Sequence, residues 1–469
     1  MAIFFYVVKN MNIKVRNFGK ISSANIDVSN FSIFVGENNS GKSYLMQLIY
    51  GVIFSFSNDK KFTEALQDFE EINISENPIS IDSSDKGFLL SLQDCINMFL
   101  YNNKDRIIKE IFHTKKLKIE ELSIELNDLI FNYTLSYEGL SPVVEKDNSQ
   151  HFETYKITRS DSKTLTIRFF ESYPKSLIEG TIKQELLSFI LSDNIGVQIN
   201  SNRKAENNSI IYLPASRSGI MLLYANYLAN DLRNNETTSD VVFAEDEKDE
   251  VENEYGLTEP VYNFLMFLLK HKASELASKG NKKILSFITN NIINGNLTKV
   301  GNSMVYTPNG SEDTLPIYLS SSLVSELAPI CQVLTSSIRP NMILYDEIDT
   351  CQHPTKQLQL ARLLIRMVNA GYKMIVSTHS DTMVAAINNL ITMSAKNNKY
   401  DLALKLGYDN DDILNNTNVH AYQFIIKQGK TIVEEIPNNI LLGIGFDFSL
   451  FNSTNDKIYQ DAIKLAEED

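Results

Sequence analysis

Apolar runs that stop abruptly at charged or hydroxylated residues set the layout of this chain. Met11-Asn12-Ile13-Lys14-Val15 and Ala24-Asn25-Ile26-Asp27-Val28 alternate, with a turn at Gly19-Lys20, and predict two half-buried strands. Phe31-Ser32-Ile33-Phe34-Val35 is more uniformly apolar and predicts a buried third strand, so that residues 11–35 read as a β-meander. Ile210-Ile211-Tyr212-Leu213, Met342-Ile343-Leu344-Tyr345 and Met374-Ile375-Val376 read as further buried strands. Helical periodicity marks residues 88–100, 104–127, 183–191, 220–230, 259–277 and 282–293, the last two separated at Gly280. Strand-like runs at 131–137, 151–158 and 164–170 predict an antiparallel sheet after a helical excursion. The strand pair 419–427 and 431–436 and a short helix close the chain.

The third strand runs into Gly36-Glu37-Asn38-Asn39-Ser40-Gly41-Lys42-Ser43, and a helix-compatible run, Tyr44 to Tyr50, follows. Strand, glycine-bounded loop and helix form the context that a P-loop requires. The glycines let successive N–H groups turn inward toward phosphate oxygens, and the helix adds the positive end of its dipole. Lys42 would reach the β and γ phosphates of a nucleoside triphosphate, and the Ser43 hydroxyl would ligate Mg²⁺.

Two later strands end in groups that suit the same chemistry. Asn341 to Tyr345 runs into Asp346 and Glu347. A carboxylate at the end of a parallel strand can hold Mg²⁺ through water, which assigns Asp346 to the metal. The next one, Glu347, can orient or deprotonate the water that attacks the γ-phosphate. One helix later, residues 354–368 with Pro354 in the first turn, the run Lys373 to Ser377 leads to His379, flanked by hydroxyls. An imidazole there can donate to the γ-phosphate or to the attacking water.

Together these segments resemble the Walker A, Walker B and H-loop elements of ABC-type ATPases. Asp346-Glu347-Ile348-Asp349-Thr350-Cys351-Gln352-His353-Pro354, followed by Thr378-His379-Ser380, is similar to the pattern of the OLD-like group. Residues 211–219, with Leu213-Pro214-Ala215 and Arg217, resemble a strand-and-arginine element of that group. Arg217 and Asp349 are candidates for an interface or nucleotide contact, and a structural salt bridge is the alternative for Arg217. Where the ABC signature belongs stand Leu319-Ser320-Ser321-Ser322-Leu323, of which the first two positions agree. In ABC-type proteins that element contacts ATP bound to the opposite subunit, so Ser320, Ser321 and Ser322 are its candidates here.

The resemblance implies an α/β fold: an ABC-type ATPase head with a mixed parallel core sheet, an N-terminal antiparallel β-subdomain and a helical subdomain. The expected division is 1–54 for the meander and Walker A part, 55–208 for an insertion, and 209–244 for a return strand and helix. An acidic linker at 245–256, a helical subdomain at 257–318 and the second half of the core at 319–469 complete it. The resemblance covers about residues 11–50 and 210–391. No cluster of acids after His379 suggests the TOPRIM nuclease that many OLD proteins carry.

Composition narrows the roles. The net charge of −14 argues against broad electrostatic binding to nucleic acid or to an anionic membrane. Seven carboxylates in residues 245–254 read as a solvated loop. The three cysteines, Cys95, Cys331 and Cys351, have no metal-type spacing, and no apolar stretch is long enough to span a membrane, so a cytoplasmic protein is expected. No heptad repeat is sustained. The resemblance then implies ATP and Mg²⁺ as ligands, at least a dimer with composite ATP sites, and a role as sensor or assembly subunit in prokaryotic anti-phage defence. PARIS-like and Septu-like systems are examples, and the separate effector, a nuclease or toxin, would be encoded nearby. The alternative is a DNA-repair ATPase of the SMC or RecF kind, which asks for coiled-coil arms or a basic face.

Overall fold

The structure, a computed structural model, describes residues 10–127, 129, 131–141, 155–161, 163–196, 210–215, 217–221, 257–270, 278–300, 303–336, 339–416, 418–439, 445–448 and 457–465. In chain order the first elements are β1 (Asn10–Phe18), β2 (Ile21–Asp27), β3 (Phe31–Gly36), α1 (Lys42–Asn58) and α2 (Lys60–Gln67). There follow β4 (Ile79–Asp82), α3 (Lys86–Phe112), β5 (Glu121–Asn127), β6 (Asn132–Ser141), β7 (Tyr155–Arg159), β8 (Thr164–Phe170), α4 (Ile178–Ile195) and β9 (Ile210–Leu213). The later part holds α5 (Glu259–Lys270), α6 (Lys279–Phe287), β10 (Gly295–Val300), β11 (Ser303–Pro308), β12 (Leu315–Pro316), α7 (Ser322–Thr335) and β13 (Met342–Tyr345). It ends with α8 (Pro354–Asn369), β14 (Lys373–Thr378), α9 (Asp381–Ser394), α10 (Lys399–Leu406), β15 (Val419–Lys427) and β16 (Lys430–Glu435).

Contacts divide the chain into two compact units. The first comprises residues 1–29, 51–108 and 118–209. In it β1 pairs antiparallel with β2 on one side and β5 on the other. Leu122, Ile124 and Leu126 are buried at alternate positions, which is strand periodicity and overrides the helical reading of residues 113–127. The predicted helices at 88–100 and 104–127 are therefore one helix, α3, followed by a turn and β5. A second sheet has the order β4-β6-β8-β7. The expectation of a purely antiparallel sheet fails at one pairing: β6 and β8 are parallel, because β7 takes the outer position and pairs antiparallel with β8. Helices α2 and α4 meet through Gln67 Nε2, which donates to Gln184 Oε1 at 2.8 Å.

The second unit comprises residues 30–50, 109–117 and 210–469. Its sheet has the order β16-β15-β3-β14-β13-β9, all neighbours parallel except the β15–β16 hairpin. The third strand of the expected meander thus leaves β1 and β2 and lies between β14 and β15. Its side chains explain the choice: all five residues from Phe31 to Val35 are buried, and a strand buried on both faces belongs inside a parallel sheet. β9, β13 and β14 are buried in the same way. Their apolar residues join those of α7, α8 and α9 in one core, with Leu327, Leu364 and Ile387 fully buried.

Residues 257–318 hold α5, α6, a π-helical turn at Ile288–Ile293 and then the three-stranded antiparallel sheet β10-β11-β12. The helical subdomain expected there is therefore half sheet, and Gly280 lies inside the first turn of α6 instead of between two helices. The acidic linker at 245–256 and most of the helix expected at 220–230 lie outside the described residues. Among the described residues no helix is long and apolar enough to cross a membrane.

Candidate nucleotide site

Three parallel strands, β3, β14 and β13, lie side by side and end at the same edge of the sheet. The register pairs Val35 with Thr378 and Tyr345 with Val376. Consequently the loop after β3 (residues 36–43), His379 after β14, and Asp346 and Glu347 after β13 emerge together. All lie within the second unit.

The loop has the backbone of a phosphate cradle. Gly36 has φ +150°, Asn39 φ +60° and Gly41 φ +96°, and α1 begins at Lys42, so N–H groups gather at a helix N-terminus. Ser43 sits in the first turn of that helix. Lys42 is buried and folds back on the loop: Nζ donates to the carbonyls of Gly36 at 3.0 Å and Glu37 at 2.9 Å, and to Ser40 Oγ at 3.3 Å. Burial pushes its ammonium down to about 8, against the attraction of Asp346, Glu347 and Asp349. These carbonyl contacts are ones that phosphate oxygens would replace, with a stronger, charge-assisted partner.

Opposite the loop, His379 bridges the P-loop and Glu347. Nδ1 lies 2.9 Å from the Gly36 carbonyl oxygen and 3.3 Å from Lys42 Nζ, while Nε2 is 3.5 Å from Glu347 Oε1. Glu347 Oε2 also accepts from Thr350 Oγ1 at 3.2 Å. The hydrogen bond from His379 holds the Glu347 carboxyl below the usual carboxylate range, against burial, with help from the charge of His379, the Thr350 hydroxyl and Lys42. Glu347 is therefore ionised at neutral pH, the state a base or water-orienting group needs. The Asp349 carboxylate accepts the backbone N–H of His379 at 3.4 Å and so supports the histidine loop.

Asp346 is buried, and each of its carboxylate oxygens accepts a hydroxyl. Oδ1 takes Ser377 Oγ at 2.5 Å and Oδ2 takes Tyr212 Oη at 2.7 Å. Tyr212 in turn accepts from Gln47 Nε2 at 3.3 Å. Burial, then the negative charge of Asp346 and the bond to it, raise the tyrosine far above its ordinary value, so it stays a donor. Tyr212, Ser377 and Gln47 were not legible as site residues in the sequence. The available signal was a hydroxyl in an otherwise apolar strand that pairs with β13 or ends beside it.

The donor set fits Mg²⁺: a hydroxyl at Ser43 and one oriented carboxylate at Asp346 are hard oxygen ligands, and phosphates and water supply the rest. Among the described residues no group of three or more His, Cys, Asp or Glu side chains could hold a metal ion by itself. When bound, such an ion neutralises charge on the phosphates.

The remaining candidates lie elsewhere. Ser320 Oγ donates to the Ile317 carbonyl at 2.6 Å, Ser321 is the N-cap residue of α7 without a side-chain capping bond, and Ser322 opens that helix. The Ser320 bond stays within its own turn. Arg217 is fully buried behind the Asp346-Glu347 turn, 2.8 Å from Glu326 Oε2, which is the salt-bridge arrangement.

The sequence profile of the family described as AAA ATPase domain matches residues 11–384. None of the curated proteins is similar in sequence at a significant level. Among solved structures, an Smc head bound to the C-terminal winged-helix domain of ScpA is similar at 12% identity and a TM-score of 0.37, covering 93% of this chain and 99% of that chain. The SMC head domain of Thermotoga maritima is similar at 12% identity and 0.33, covering 92% and 99%. An ATP-binding cassette of an ABC transporter, in its ADP conformation, is similar at 10% identity and 0.29, covering 93% of each chain. At such scores these likenesses decide neither fold nor function. The profile match, which spans well over half of the 469 residues, does decide: the chain belongs to the AAA ATPase domain family and is a P-loop ATPase.

Proposed function

We propose that ATP binds on residues 36–43 with Mg²⁺ at Ser43 and Asp346, and that Glu347 activates the attacking water while His379 holds Glu347 and the γ-phosphate in line. The observation that carries this reading is the convergence on His379 of Lys42, 3.3 Å from Nδ1, and Glu347, 3.5 Å from Nε2. In this reading the site is half of a composite, because the serine turn 320–322 stands where the ABC signature belongs, the element that in ABC-type proteins contacts ATP bound to the opposite subunit. A second copy supplies its serines, ATP joins the two copies, and hydrolysis separates them.

The biological role that fits is a sensor or assembly subunit of a prokaryotic anti-phage system that holds or releases a separate effector. Its support is the run from Asp346 to Pro354 with His379 one helix later, together with the acidic charge. The test is turnover and mass of the wild type and Glu347→Gln, with and without MgATP. The substitution should cut turnover by about a hundredfold or more while ATP binding persists, since it removes the base and leaves the phosphate cradle. The same variant should shift to the dimer mass with MgATP. Unchanged turnover would sink the assignment of Glu347, and a constant monomer mass would sink the composite site. Co-purification with the product of a neighbouring gene tests the effector. DNA-stimulated hydrolysis without such a partner would favour the repair reading instead.

A further inference from the structure

Glu347 has φ +45°, a left-handed backbone that L residues other than glycine rarely adopt. Such a conformation persists only where the surroundings over-determine it. Both peptide planes that flank Glu347 are pinned at both edges. On the preceding plane, the Asp346 carbonyl accepts from Arg217 Nη1 at 2.5 Å, and the Glu347 N–H donates to Ser377 Oγ at 2.8 Å. On the following plane, the Glu347 carbonyl accepts from Arg217 Nη2 at 3.0 Å, and the Ile348 N–H donates to the Ser377 carbonyl at 3.1 Å. One buried cation therefore holds both carbonyl edges and one serine both N–H edges. With the two planes fixed, φ and ψ of Glu347 are fixed, and so is the direction in which its side chain leaves the backbone.

Arg217 is itself anchored. Nη1 also donates to the Pro214 carbonyl at 2.6 Å, and the guanidinium lies over the Tyr345 ring at 4.5 Å. Nε faces Glu326 Oε2 at 2.8 Å, off line for a hydrogen bond, while Glu326 Oε1 accepts the backbone N–H of Ser218 at 2.9 Å. Glu326 is buried on α7, the helix that the serine turn 320–322 opens.

We propose that Arg217 is a positioning residue for hydrolysis: it fixes the left-handed backbone of Glu347, and through Glu326 it ties that backbone to α7. A displacement of α7 would then reach Glu347 through one guanidinium. This rests on Glu347 being the catalytic base, as proposed above.

Arg217→Lys keeps the charge but not the planar fork, and Glu326→Gln keeps the acceptor for Ser218 but not the ion pair. We expect each variant, assayed well below its melting temperature and per folded molecule, to lose about tenfold or more in kcat while the ATP dissociation constant stays within about threefold. A purely structural role would lower the melting temperature and leave kcat per folded molecule within about twofold, and that result would overturn the proposal. Equal losses in kcat and affinity would also overturn it, since they place the effect at the phosphate cradle. Should Arg217→Lys fail to fold, Glu326→Gln decides alone. Normal turnover in Glu347→Gln instead defeats the assignment of the base, which is a separate failure.

Discussion

Gly36 meets two constraints at once. Its φ of +150° suits glycine, and an added Cβ would stand 2.8 Å from the carbonyl oxygen and 2.9 Å from the Cβ of Phe424 on the neighbouring strand. Backbone atoms cannot swing away as a side-chain tip can, so Gly36→Ala should cost about 2 kcal/mol in urea denaturation and weaken ATP binding. The cysteines differ in the same residue-level way. Cys351 is exposed, Cys331 is buried with its thiol pushed up to about 12, and partial burial raises Cys95 as well. A thiol-disulfide reagent at pH 8 should therefore titrate Cys351 rapidly and Cys331 only after denaturant is added, because the thiolate is the reactive species. Equal rates for all three would contradict this packing. At this scale the sequence was most readable for groups whose chemistry is local, such as Lys42 and Ser43 in their loop. Tyr212 and Ser377 lie in segments that carried the resemblance, but their roles were unreadable because each acts across the sheet on Asp346.

Between elements, the unit β13–α8–β14 carries Asp346 and Glu347 at one strand end and His379 at the other, so its rigidity sets the site. Two arginines on α8 fasten it to the turn after α10. Arg362 Nε and Arg366 Nε donate to the two oxygens of Asp412 at 2.8 and 2.7 Å, and both arginines also reach Asp409. Arg366 further lies over the Phe287 ring at 3.9 Å. Asp412 is fully buried, so Asp412→Ala would leave the two arginines with only the exposed acids Asp409 and Asp411 as ion-pair partners and should cost about 3 kcal/mol or more. Asp409→Ala, at an exposed position, should cost under about 1 kcal/mol. Thermal unfolding of the two variants separates these outcomes. The α8 helix was visible from Pro354 and its apolar spacing, and the structure ends it at Asn369. β5 was not, since Glu121 to Asn127 offers few residues and its pairing partner, β1, lies more than a hundred positions away.

At the scale of the whole chain, ligand binding should appear as stability. With free MgATP at about 100 times its dissociation constant, linkage predicts about 2.7 kcal/mol of added stability in the unit that holds the site. Lys42→Ala should abolish most of that gain, and chelation of Mg²⁺ should reduce it and stop turnover. A thermal-shift titration measures the stability changes and a phosphate-release assay the turnover, and an equal gain in Lys42→Ala would place the nucleotide elsewhere. The site draws on residues of the second unit alone.

By itself the sequence determined the P-loop, the acid pair and the histidine, together with the buried strands that carry them. Each is a contiguous run in which hydrophobic pattern, turn chemistry and reactive group coincide, so local rules suffice. Tertiary structure alone decided that β3 leaves its hairpin neighbours for a place between β14 and β15, and that β6 and β8 run parallel. It also decided that Arg217 holds the backbone of Glu347. Strand order and buried polar contacts join residues far apart in the chain, and they are selected by which faces bury together, a quantity no single stretch contains.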